Sequence, residues 1–230
     1  MMVEISIKKT VYWLYGFVFA LNAFGFVEKV IEKLLGYNNT ELVRLFDVSE
    51  EANVTTWFSS LLLSLSALLL FLITKIKSRD NDPFFRHWAF ISAIFLYLSL
   101  DESAKIHEMT IKPIRDLLHA TGLLYYSWVI LAIPILIGLA LIYRKFVFSL
   151  PVHTRNQFIL AAIVFLAGAI GFEMLGGLFY HVEISGVHLL SFLVTLEELF
   201  ENLGVVIFIS ALLTYIKLLP RWSIIPLKFR

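Results

Sequence analysis

Six apolar stretches of roughly membrane-spanning length, separated by shorter polar segments, leave this chain few ways to fold. A helix needs about 20 apolar residues to cross a bilayer. Helices are therefore expected over about 11–35, 56–76, 86–112, 123–145, 156–182 and 187–218. Each would satisfy its backbone polar groups internally, as the hydrocarbon core demands. The expected fold is an all-α polytopic membrane bundle of six transmembrane helices, one domain over 1–230. A hydrophobic share of 59 % and a mean hydropathy of +0.82 agree with this, since soluble domains are about half apolar. The first stretch follows Lys8 and Lys9 like a signal peptide. It lacks a small-x-small cleavage site and leads into further spans, so it reads as a retained anchor. Cysteine is absent, which excludes disulfides, thiolate metal sites and cysteine nucleophiles together.

Charge alternates between the connecting segments. Lys8, Lys9, Lys75, Lys77, Arg79, Arg86, Arg144, Lys145, Arg155, Lys217, Arg221, Lys228 and Arg230 fall on one side, accompanied by Glu4, Asp80 and Asp82 alone among the 18 acidic residues. The positive-inside rule makes that side cytoplasmic, with both termini there. The expected location is the inner (plasma) membrane. The first outer segment, about 36–55, is acidic and carries a short apolar-periodic piece, Leu42 to Phe46, suited to lying on the membrane surface over a site beneath.

Nine ionisable side chains sit where the apolar pattern should exclude them. Asp101, Glu102, His107 and Glu108 occupy the third segment, Glu173 and His181 the fifth, and Glu197, Glu198 and Glu201 the sixth. Such groups are costly at bilayer depth and face a bundle interior, with partners. A helical rise of about 1.5 Å per residue puts Asp101 roughly 22 Å and Glu173 roughly 27 Å above the basic side, with Glu197 to Glu201 roughly 15–20 Å below the outer one. All three groups converge on the outer half.

Within the third segment Asp101 and Glu108 share a face of a continuous helix, with Lys105 between them. A local salt-bridge ladder is the plain alternative there. Glu197, Glu198 and Glu201 have little cation nearby, and like charges at that spacing repel. A proton or a cation must neutralise them, unless they form a solvated helix end. Glu173 lies among Gly168, Gly171, Gly176 and Gly177, small residues that let membrane helices approach closely. Alone, it could equally bond a hydroxyl or backbone group. His87 and His153 are expected at the lipid headgroups. Trp13, Trp57, Trp88, Tyr125, Tyr126 and Trp222 are expected as interface anchors.

Carboxylates with one or two imidazoles suit one or two ions of Fe, Mn or Zn. The expected ligands are Asp101, His107, Glu108, Glu173, Glu197 and Glu201, with Glu102, Lys105, Tyr180, His181 and Glu198 as supporting groups or further ligands. The chemistry would be metal-dependent oxidation or hydrolysis of a lipid-soluble substrate. The alternatives are a proton- or cation-coupled transporter and a structural subunit of a membrane complex. The inner halves of these helices, such as Val205 to Ile209, offer a conduit no polar stepping stones. The expected partners are the bilayer, a lipid-soluble substrate, and further copies of the chain or a membrane complex; nothing points to nucleic acid.

The donor types resemble those of di-iron carboxylate bundles, although the repeated Glu-x-x-His of those proteins is missing. The motifs Leu100-Asp101-Glu102 followed by His107-Glu108, then Gly171-Phe172-Glu173, then Glu197-Glu198-x-x-Glu201-x-x-Gly204 resemble those of uncharacterised bacterial six-span inner-membrane proteins. That resemblance, over about 95–205, implies the same placement and the grouping of these residues, and no reaction.

Overall fold

The computed structural model describes residues 3–35, 53–180, 189–219 and 227–229. It is helical throughout, apart from one short strand pair. In chain order come β1 (Val3–Ile5), α1 (Ile7–Leu35), α2 (Val54–Arg79), α3 (Phe85–Ala104), α4 (Glu108–Leu118), a 3-10 turn (Gly122–Leu124), α5 (Val129–Ser149), α6 (Val152–Leu166), a π-helical turn (Ala167–Phe172), α7 (Glu173–Phe179), α8 (Leu189–Lys217) and β2 (Leu227–Phe229). Five helical segments are long and apolar enough to cross a membrane: Ile7–Val27, α2, α5, the composite of α6 through α7, and α8. The chain is thus a multi-pass membrane protein by length and composition. The expected outer segment, its sequence from 36 to 52, and His181 and His188 lie outside the described residues.

Local chemistry sets the boundaries. Asn53 caps α2, its side-chain oxygen accepting the Thr56 N–H at 2.7 Å. After α2, Asp82 binds Lys77 at 2.9 Å and accepts the Phe84 N–H at 2.8 Å, which turns the chain straight into α3. The returning helix packs on α2 through serines. Ser60 Oγ donates to the Ser99 carbonyl at 2.8 Å, Ser64 Oγ meets Ser99 Oγ at 2.7 Å, and Ser92 Oγ donates to the Ala67 carbonyl at 2.8 Å. Small hydroxyl residues give close approach together with hydrogen bonds that hydrocarbon cannot replace.

α8 is the hub, packing against α1, α2, α6, the π turn and α7. Its apolar window is 61 % buried, against 44 % or less in the other four spans. The core gathers at the end where α8 finishes and α3 begins. Leu70, Ile73, Trp88, Phe146, Val206, Ile209, Leu212 and Ile216 are almost wholly buried there. Trp88 stacks on Tyr215 at 5.1 Å and meets Phe146 edge-on at 4.9 Å. Trp88 is therefore core and not the expected interface anchor, whereas Trp13 and Trp57 are exposed as anchors should be. His87 likewise lies against Phe146, Tyr143 and Phe84, with its Nδ1 shut away from solvent, and not among lipid headgroups as expected. Leu96, Ile135, Leu141 and Ile163 face outward, as a bundle bathed in acyl chains requires.

The helix expected over 86–112 is two helices. Lys105 adopts a left-handed conformation (φ 51°) and ends α3, its N–H donating to the Asp101 carbonyl at 2.6 Å. α4 then starts at Glu108 as a separate, strongly two-faced helix with no buried residue, exposing Met109 and Leu117. The expected shared face of Asp101 and Glu108 is lost with the break. The span expected from 123 begins at Val129 instead, because Gly122 (φ 60°) and the 3-10 turn occupy the start.

Candidate functional site

The break at Lys105 creates the first element of the site. The chain doubles back, and Asp101, 8 % exposed, takes His107 with both oxygens: Oδ1 accepts the backbone N–H at 2.9 Å and Oδ2 the ring Nδ1–H at 2.6 Å. A histidine fixed in this way through Nδ1 keeps Nε2 as its open nitrogen. The ring rests on Trp128 with centroids 4.8 Å apart, and Trp128 Nε1–H donates to Glu173 Oε1 at 3.1 Å. One indole therefore ties α3's end to α7's first residue. Trp128 was not among the expected site residues. Near the start of the span expected over 123–145, it carried no sequence signal that set it apart from the other aromatics.

Glu173 owes its position to the π turn before it. One wide turn from Ala167 to Phe172 changes the helix phase just ahead of the carboxylate. The same turn presses on α8. A Cβ on Gly168 would stand 2.8 Å from the Glu197 carbonyl and 2.9 Å from the Glu201 nitrogen, and one on Gly204 would stand 2.7 Å from Phe165 N. These two glycines let α6 and the π turn seat against α8 where its three glutamates emerge.

The facing carboxylates do meet. Glu197 shares a hydrogen bond with Glu173 and also feels Glu201 and Glu198. Glu201 lies in the field of Glu102, Glu198, Glu173 and Asp101, and Glu102 in that of Glu198, His107 and Lys105. Glu198 Oε2 is sealed from solvent with no hydrogen-bond partner among the described residues. Two carboxyl groups in hydrogen-bond contact require a shared proton or a bound cation between them. Tyr126 approaches from the segment before α5, facing Glu173 and Glu197; burial, then those two charges, raise its pKa.

Of the eleven residues expected at the site, Asp101 touches His107 and Glu173 touches Glu197, while Glu102, Glu198 and Glu201 lie within electrostatic range of them. Glu108 stands at the rim, its Oε1 3.2 Å from Lys105 Nζ, a pair that keeps part of the expected ladder. Tyr180 is stacked on Tyr125 at 4.2 Å, and Arg115 lies over the Tyr125 ring at 4.2 Å, which anchors α4 beside the site. His181 lies outside the described residues. Among the described residues no three His, Asp or Glu side chains yet close on one point as ion ligands.

A family model described as "Domain of unknown function (DUF8692)" matches residues 11–216, and the chain belongs to that family. No curated protein and no solved structure matches it.

Proposed function

We propose that this member of the family binds one or two transition-metal ions (Fe, Mn or Zn) in the outer half of its bundle. There it would carry out metal-dependent oxidation or hydrolysis of a lipid-soluble substrate. The supporting observation is the Asp101–His107 pair beside the Glu173–Glu197 contact. Metal-bound histidines characteristically give their second nitrogen to a carboxylate, which fixes the ring and raises its basicity. Asp101 holds His107 in that manner, so its proposed role is to orient, and His107 Nε2, Glu173, Glu197 and Glu201 are the proposed donors. Glu198, with an unpaired oxygen, and Glu102 are the reserve carboxylates for a second ion. The donor chemistry fits, since oxygen-rich sets with an imidazole suit Fe, Mn and Zn. Gripping one ion would take rotation of side chains that now meet in pairs. A bound ion would supply Lewis acidity or redox chemistry.

The proposed frame is six crossings in a bacterial inner membrane, with both ends cytoplasmic. β1 pairs in parallel with β2, Val3 opposite Leu227, which brings the two ends of the chain to one end of the bundle. An even number of crossings agrees with that pairing, and α3, 20 residues long, would be the sixth. The basic residues at that end argue for the cytoplasm.

Proton- or cation-coupled transport is the second reading, favoured by the Glu173–Glu197 contact, which a shared proton alone would satisfy. Metal analysis of detergent-purified protein separates the two, with wild type beside Glu197→Gln/Glu201→Gln and Glu108→Gln. Near one or two equivalents of a transition metal in wild type and Glu108→Gln, lost from the double variant, are expected. Wild-type protein that holds no metal even after reconstitution overturns the metal reading and leaves transport or a structural role.

A further inference from the structure

A second feature lies at the opposite end of the bundle, where α1 begins and α8 ends. A cavity of about 500 Å³ opens there, lined by Ser6, Ile7, Lys8, Lys9, Thr214 and Lys217. That volume is within the usual range for a small-molecule site. We propose that it binds a phosphate group, specifically the headgroup of an anionic phospholipid.

The cation content comes from two helices far apart in sequence, so three lysines border one hollow. All three lysines are exposed, with side chains free to swing over a ligand. The hollow also sits on the N-terminus of a long helix, whose first N–H groups lack intrahelical acceptors and favour an anion. Ser6 caps that terminus only weakly, its Oγ accepting the Lys9 N–H at 3.5 Å, and its hydroxyl lines the cavity. Thr214 adds a second hydroxyl to the wall, and Ile7 an apolar surface. Phosphate contacts of this kind use point charges and hydroxyls together.

Position selects the lipid over a soluble phosphate. Ile7 opens one apolar span and Lys217 closes another, so the cavity lies at headgroup level. Tyr12 and Trp13, 74 % and 70 % exposed, stand on the next turns of α1 as interface anchors. Basic pockets between helix ends suit anionic headgroups.

The test is retention of phosphatidylglycerol by full-length protein in nanodiscs that mix it with phosphatidylcholine, read by native mass spectrometry. A Lys8→Gln/Lys9→Gln/Lys217→Gln variant is compared with Arg79→Gln/Arg144→Gln/Lys145→Gln, which removes the same charge from the same end outside the cavity. The cavity variant should bind about a hundredfold more weakly, and the control should lose little. Inorganic phosphate at matched ionic strength should fail to displace the lipid; full displacement would assign the cavity to a free phosphate and overturn the lipid assignment. Equal losses in the two variants, or none in the cavity variant, would overturn the site itself. Unfolding temperatures in zwitterionic detergent identify any variant that has lost its fold.

Discussion

Gly168 and Gly171 lie three residues apart in one π turn, and the structure assigns them opposite sensitivities. A Cβ at Gly171 meets nothing within 4 Å, whereas one at Gly168 lies 2.8 Å from the Glu197 carbonyl, 2.8 Å from Glu201 Cγ and 2.9 Å from the Glu201 nitrogen. Ordinary contact starts at 3.4 Å, so Gly168→Ala requires a retreat from 2.8 to 3.4 Å, or 0.6 Å. Two of the three obstructing atoms are α8 backbone, which cannot swing aside. Overpacking of this kind costs about 1–3 kcal/mol, and the backbone contact puts Gly168→Ala toward the upper part of that range. Gly171→Ala removes only glycine's entropic cost and should stabilise by up to about 1 kcal/mol. Reversible unfolding in mixed micelles, followed by tryptophan fluorescence, measures both. Gly168→Ala should also weaken metal retention, because the atoms displaced belong to Glu197 and Glu201, while Gly171→Ala should leave retention unchanged. Equal stability of the two variants would refute the close seating of the π turn on α8 and the account of the site built on it.

Two further perturbations probe the first half of the site. Trp128→Phe keeps a ring against His107 but deletes the donor to Glu173 Oε1. A hydrogen bond to a charged acceptor contributes about 1.5–3 kcal/mol, so metal affinity should fall roughly tenfold or more with little change in far-ultraviolet dichroism; unchanged affinity would remove Trp128 from the site. His107 provides a pH test in metal-free protein. Burial opposes its charge, but the Asp101 hydrogen bond and charge, with Glu173 and Glu108, outweigh it and raise its pKa above 6.5. A raised folded-state pKa means the stabilisation is complete below the unfolded value near 6.5 and fades as pH climbs through the higher folded one. Stability of wild type should decline across that window, and Asp101→Asn should flatten the decline; identical profiles would dismiss the pairing.

Much of this arrangement was legible in the sequence because hydropathy and helical rise are nearly independent of tertiary detail. Counting about 1.5 Å per residue from the basic ends for Asp101 and Glu173, and from the outer end for Glu197, was enough to place all three in the outer half. The failures share one physical origin. Single-residue backbone events and the difference between a lipid face and a protein face leave almost no local signal. Lys105 is an ordinary helix former that turns left-handed here, and the residues after it, up to 112, still read as a continued helix. Trp88 and Trp13 are the same residue type at the same kind of position, and only the neighbours Tyr215 and Phe146 decide that one is core. The serines that join α2 to α3 did carry a signal. Ser60 and Ser64, and Ser99 and Ser103, recur at four-residue spacing, and each pair lies on one helical face.

The packed aromatic end of the bundle has an electrical consequence. Trp88, Phe146, Ile209 and Ile216 fill that half among the described residues, so in the orientation proposed above an ion would reach the carboxylates from the outer side. An ion entering from the outer side and returning the same way traverses only part of the membrane field. The full drop of about 2.3 kcal/mol per charge per 100 mV falls mostly across the plug of hydrocarbon beneath it. In that proposed orientation, ion binding at the cluster would be nearly blind to the membrane voltage, and its occupancy would follow the outer solution.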